Sequence, residues 1–309
     1  MLVGDFFADP IPALVSHRAS RDAEIPLTSV DQLIERLVRN VEFVAELGVT
    51  PPSVEPDPLP FPQSNEEIEA SAVHVRQRLE APTGALTDLA TKAELLGAST
   101  FCLAVDGVSA TGAMVHLPQG AVVFINGTYK HGPRRITLAH EVGHLVFADE
   151  YSVDHTIGDE SGSTRERKLD RFGRALLMPL ASLTVDWATE MDLGRSHRDA
   201  AIILASHYRV GTSQLAQRLA ETEILSRGEA NSLRHLSTTQ SDFYEFDLLA
   251  TEELQAPLLP AWYRKGVIAL YRKDQISAAR AVSLLVDTLD ESELPEPPLL
   301  PSQAVWSVL

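Results

Sequence analysis

The sequence predicts an α+β fold: a small, mainly antiparallel sheet packed on one long helix, followed by a helical region that looks like a helix-turn-helix. Three observations lead there. Two helical patterns between residues 66 and 96 come first, three short apolar runs between 101 and 126 follow, and a long helical pattern from Arg134 to Phe147 carries the residues of most chemical interest. The period changes from helix to strand and back, as layers of unlike elements require.

In chain order, Val30 to Leu47 places Leu33, Leu37, Val41 and Val44 at helical spacing, with Gly48 as the stop. Pro51, Pro52, Pro56, Pro58, Pro60 and Pro62 then exclude helix and central strand, so this stretch reads as a linker or a wrapping segment. Glu66 to Leu79 and Leu86 to Leu96 are the next helices. Phe101 to Val105 ends at the turn signal Asp106-Gly107, and Gly112–Leu117 and Ala121–Asn126 flank the hairpin loop Pro118-Gln119-Gly120. Pro133 stands in the first turn of the long helix. A further helix carries Leu169, Phe172 and Leu176 on its buried stripe and stops at Met178-Pro179. The domain reading is residues 1–62 as an N-terminal helix and Pro-rich linker, 63–190 as the central unit, 191–236 as the helix-turn-helix-like unit, and 237–309 as a C-terminal helical segment with a Pro-rich tail.

Composition narrows the function. The 309 residues carry 26 Lys+Arg against 43 Asp+Glu, a formal charge of -17, with 44% hydrophobic residues. Such a surface repels phosphate, so tight direct nucleic-acid binding is not expected and a protein partner is. Between Arg195 and Arg234 six Arg face four acidic residues, a weak positive balance that favours a packing or docking role for that unit over DNA reading. Cys102 is the single cysteine; its apolar setting reads as core, and disulfides or thiolate-rich zinc modules are excluded. No signal-peptide pattern and no apolar run of membrane-spanning length is seen, so a cytoplasmic protein is expected.

His140-Glu141-Val142-Gly143-His144 is an HExxH sequence. On a helix, i and i+4 share a face, so both imidazoles can point at one ion, while Glu141 lies about 100° round and can reach a water beside it. Leu138, Val142 and Leu145 form the apolar stripe that buries the helix, and Gly143 permits a close approach. A catalytic zinc needs a third protein ligand and an open position. Phe147 and Glu150 occupy the positions where the elongated metzincin pattern would continue, so the donor must come from elsewhere. Glu166 is the leading candidate, with Asp170 one turn on as the acceptor that orients a ligand imidazole. Ser163-Thr164-Arg165-Glu166 also fits a capping box, the less favoured reading, in which Glu166 would only satisfy backbone donors. His155, Asp159 and Glu160 are rival donors, and Tyr151, His155 and His131 are candidates to stabilise an oxyanion. Asn126 ends a strand that would serve as the sheet edge for an extended substrate, which makes it the candidate substrate-binding residue.

Arg135-x-Thr137-Leu138-Ala139-His140-Glu141-Val142-Gly143-His144-Leu145, followed by Glu166-x-x-x-Asp170-x-Phe172-x-x-x-Leu176-Leu177-Met178-Pro179, resembles the ImmA/IrrE family of metallopeptidases. The likeness runs from about Glu69 to Leu180, through Val75-Arg76-x-x-Leu79, Pro82-x-Gly84-Ala85-Leu86-x-Asp88-Leu89 and the strand Val122–Asn126. Asp170 stands where the family usually has Asn, Leu169 for Ala and Ile136 for Phe. Asp199 to Leu219 resembles the helix-turn-helix-like unit that often follows this domain. The resemblance implies a zinc-dependent endopeptidase, with manganese as the other candidate metal, that cleaves a helix-turn-helix repressor and so derepresses stress-response or mobile-element genes. His140, His144 and Glu166 would be the ligands and Glu141 the catalytic base. No DNA-binding domain is seen at the start, so the DNA reader is expected to be a separate polypeptide. Two other classes compete: a non-cleaving antirepressor or toxin-antitoxin partner, and a structural zinc protein.

Overall fold

The computed structural model describes residues 15–19, 28–54, 57–107, 110–118, 120–148, 160–248 and 253–296. Its elements are β1 (Val15–Ala19), α1 (Thr28–Glu46), α2 (Asn65–Arg78), α3 (Leu89–Ala93), β2 (Ala98–Leu103), β3 (Ala110–Leu117), β4 (Gly120–Asn126), α4 (His131–Val146), α5 (Glu160–Leu177), α6 (Leu180–Asp192), α7 (His197–His207), α8 (Thr212–Glu221), α9 (Arg227–Leu233), α10 (Gln240–Glu245), α11 (Ala261–Arg272) and α12 (Ala278–Leu284). The α+β class is as the sequence predicts, with α4 following the sheet.

The sheet order is β1-β3-β4-β2. β3 and β4 form the expected hairpin, closed by the Leu117↔Gly120 pair, and β1 pairs antiparallel with β3. The third pairing differs: β2 runs parallel to β4, from Ala98↔Ala121 to Leu103↔Asn126. After β2 the chain turns at Gly107, which takes a φ of +74°, passes out along β3, and returns along β4 between the two. β4 is therefore hydrogen-bonded on both sides. That corrects the expectation that Asn126 ends an edge strand.

Both faces of the sheet are covered, which is why its strands read as apolar runs rather than alternations. One face sends Cys102, Met114, Val123 and Ile125 into a core with α2 to α9, including Ile136, Ala139 and Val142 of α4. The opposite face sends Phe101, Val115, Val122 and Phe124 against Ile34, Leu37 and Val41 of α1 and Tyr263, Val267 and Leu284 of α11 and α12. The two ends of the chain thus share one layer. Cys102 sits in the first core, where burial pushes its thiol up to about 11.

The Pro-rich stretch wraps rather than links. Leu59 N–H donates to the Val146 carbonyl (2.7 Å), Phe61 meets Phe147 edge-on at 5.6 Å, and the Arg165 guanidinium lies 4.4 Å over the Phe61 ring. The helix expected over 86–96 is shorter, with α3 at 89–93 and a 3-10 turn after it. Asp88 takes a left-handed conformation (φ +53°), and its N–H and that of Leu89 are drawn to the Glu253 carboxylate (3.1 and 3.4 Å) instead of opening a longer helix.

Candidate metal centre

α4 and α5 pack closely because two glycines let them. A Cβ on Gly143 would stand 3.0 Å from both Leu169 and Phe172, and one on Gly173 would stand 3.3 Å from the His140 backbone nitrogen. Tight crossing carries the outer turns of α5 onto the histidine face of α4. Since α5 begins at Glu160, Glu166 lies inside the helix and not at its third position. That removes the capping-box reading and leaves its carboxylate for the site.

The metal-ligating atoms converge. Nε2 of His140 lies 3.2 Å from a Glu166 carboxylate oxygen, Nε2 of His144 lies 3.7 Å from the other, and the two Nε2 atoms are 3.1 Å apart. Ligands about 2.05 Å from a tetrahedral zinc stand roughly 3.3 Å from one another. The three donors already have nearly that spacing, so the set can hold a metal ion. Asp170 Oδ1 lies 3.0 Å from Nδ1 of His140. That contact fixes the tautomer with Nδ1 protonated and Nε2 turned to the centre. Glu141 is fully buried on the same side of α4.

Electrostatics favour cation capture. Burial alone would raise the Glu166 carboxyl, but the two imidazoles beside it outweigh that and hold the group below the usual range. Burial pushes the His144 imidazole down, which keeps it neutral and able to ligate.

Other candidates separate from the centre. Asn126 is buried, and its side chain is taken up by the chain around it: its amide donates to the Val105 (3.0 Å) and Ala110 (3.3 Å) carbonyls, while its oxygen accepts from Thr128. It pins the loop after β2 and is not presented to a substrate. His131 opens α4 nine residues before His140, about 13.5 Å away along the axis; burial and Arg135 push it down to about 4. Tyr151, His155 and Asp159 lie outside the described residues, as does the Glu160 side chain.

One cluster escaped the sequence reading. Glu253 pairs with Arg135 and Arg209, and Arg135, wholly buried, also donates to the Leu86 carbonyl (2.5 Å). Arg134 donates to the Leu254 carbonyl at 2.5 Å. A segment over a hundred residues downstream therefore fastens the first turns of α4. The sequence signal is the adjacent pair Arg134-Arg135 in the first turns of a buried helix.

Two imidazoles one turn apart, a carboxylate from a second helix and a buried glutamate beside them make the set found in metal-dependent hydrolases. Residues 104–220 match the family model Peptidase_M78, the IrrE N-terminal-like domain. That match spans the domain that carries the site and indicates a metallopeptidase of the ImmA/IrrE type. No curated protein sequence matches the chain. Among the described residues no helix is long and apolar enough to cross a membrane.

Proposed function

We propose that the chain is a zinc-dependent, site-specific endopeptidase whose substrate is a helix-turn-helix repressor, and that cleavage derepresses stress-response or mobile-element genes. The convergence of His140, His144 and Glu166 is the observation that carries the chemistry. Two nitrogens and one carboxylate suit zinc, with manganese as the second choice. When bound, the ion supplies Lewis-acid polarisation of the scissile carbonyl and a lowered water pKa. Glu141 holds the proton taken from the attacking water and returns it to the leaving amine. Asp170 keeps the His140 ring in its ligating orientation.

The repressor reading draws on charge. The helix-turn-helix-like pair α7–α8 spends its arginines internally: Arg195, Arg198 and Arg218 pair with Glu190, Asp242 and Glu69 at 2.7, 3.0 and 2.6 Å, and Arg209 pairs with Glu253. Arg218 also binds the Met178 carbonyl, so α8 faces the peptidase helices. An acidic surface at -17 would instead steer toward the basic recognition helices of a repressor. The test is zinc analysis of the purified chain together with incubation against the repressor encoded beside its gene. Cleavage by the native chain and none by Glu141→Gln is expected. Inactivation of the repressor by Glu141→Gln at the native rate would establish a binding-only antirepressor instead.

A further inference from the structure

We propose that β1 is a strand held in place of substrate: it fills, within the same chain, the edge of β3 to which an extended peptide would add, and it must leave before a peptide can dock. This rests on the reading of α4 as the metal-bearing helix.

The geometry starts at Gly112. A Cβ there would fall 2.5 Å from Cγ2 of Thr137, so β3 runs directly beneath α4 at that residue. At 100° per residue, Thr137, His140, Glu141 and His144 fall within an arc of about 100°. The face that carries the metal donors thus overhangs β3. With β1 removed, β3 would be the outermost strand on that side, and α4 itself packs against β1. The opposite edge is already occupied, since Cys102 and Leu258 exchange backbone hydrogen bonds of 2.9 and 2.8 Å.

β1 lies antiparallel along this edge, from Val15↔Val115 through Arg18↔Gly112 to Ala19↔Ala110, with a register slip after Arg18. The backbone of Arg18 is therefore opposite the glycine under the catalytic helix. Pairing through main-chain groups accepts any sequence, so the row β1 uses is the row an extended substrate would use. The next described element, α1, packs on the far face of the sheet. A short tether gives the strand an effective concentration of order millimolar, against which a free peptide must compete. Displacement is then the step that separates a docked from an undocked substrate.

The test uses the full chain with EDTA present, so cleavage plays no part. Successive N–H groups of a strand point alternately toward and away from its neighbour, so Ser16→Pro with His17→Pro removes at least one donor to β3. Cysteines at the opposed positions 17 and 113 lock the strand instead; the one native cysteine is buried. The probe is a fluorescein-labelled synthetic peptide of residues 13–21, followed by anisotropy. The proline variant should bind it at least tenfold more tightly than the native chain, and the oxidised cysteine variant should bind none until reduced. Equal binding by all three forms, or no binding by a proline variant whose circular dichroism matches the native chain, would overturn the proposal. Strand exchange without repressor cleavage at restored zinc would instead condemn the peptidase reading alone.

Discussion

Replacing Glu253 by Ala strips the buried Arg135 and the half-buried Arg209 of their shared counter-ion. The side chains of Arg135, Glu253 and Arg209 are 0%, 10% and 15% exposed, so solvent can compensate little for the loss. Breaking one partner of a buried pair costs about 3–5 kcal/mol. Arg135 keeps the Leu86 carbonyl and Arg209 has some water, which argues for the lower half of that range. The N–H groups of Asp88 and Leu89 lose an acceptor as well, adding about 1 kcal/mol. A total near 4 kcal/mol should lower the midpoint of thermal unfolding by roughly 8 °C in a chain of this size. Urea unfolding at pH 7 is the assay. Glu253→Gln, which keeps the shape and one acceptor, should lose most of the same stability, because the charge is what the arginines need. A loss below about 1 kcal/mol for Glu253→Ala would refute the reasoning, since it would mean that the arginines find other partners at little cost.

Acid gives the same group a second test. Burial tends to raise the Glu253 carboxyl, but Arg135, Arg209 and the two backbone N–H groups outweigh it and hold it below its ordinary value. Its contribution is therefore full above the unfolded carboxyl pKa, about 4.3, and fades as pH falls through the lower folded value. The stability gap between the native chain and Glu253→Ala should be constant from pH 6 to 8 and shrink below about pH 4. At the metal centre, Asp170→Ala should weaken zinc binding about 10–100-fold in a chelator competition, and Asp170→Asn, which can still accept from His140, should cost about half as much in free energy. Gly143→Val should drive Leu169 and Phe172 away from α4, destabilising the fold by about 1–3 kcal/mol and lowering zinc affinity because Glu166 rides on the displaced helix. Gly112→Val should be tolerated worse still, with Thr137 and the Phe124 carbonyl (2.9 Å) both in the way; soluble expression measures it.

Local patterns were readable wherever a single element decided them. The 3.6-residue period placed α1 and α4, the apolar runs placed β2 to β4, and HExxH fixed which side chains of α4 share a face. Contacts between distant elements were not readable. Glu166 fitted a cap as well as the favoured ligand role until the helix start at Glu160 was known. Asn126 seemed to stand at an edge because sequence order suggests a meander, and only the parallel return of β4 beside β2 places it inside. Buried arginines are the extreme case: Arg218 meets Glu69 and Arg135 meets Glu253 at separations of 149 and 118 residues, and composition alone sends such residues to the surface.

The layer shared by the two ends of the chain bears on how the protein is made. Phe101, Phe124 and Val122 need α11 and α12 to complete their cover, yet the last strand of the sheet ends at Asn126 and α11 opens only at Ala261. At a ribosomal rate of about 5–20 residues per second, the interval between the two is on the order of ten seconds. During it α1 is the only described helix of that layer already synthesised, and the nascent sheet shows a half-covered aromatic surface to whatever binds exposed apolar chain. Newly made molecules should thus depend on chaperones far more than finished ones do.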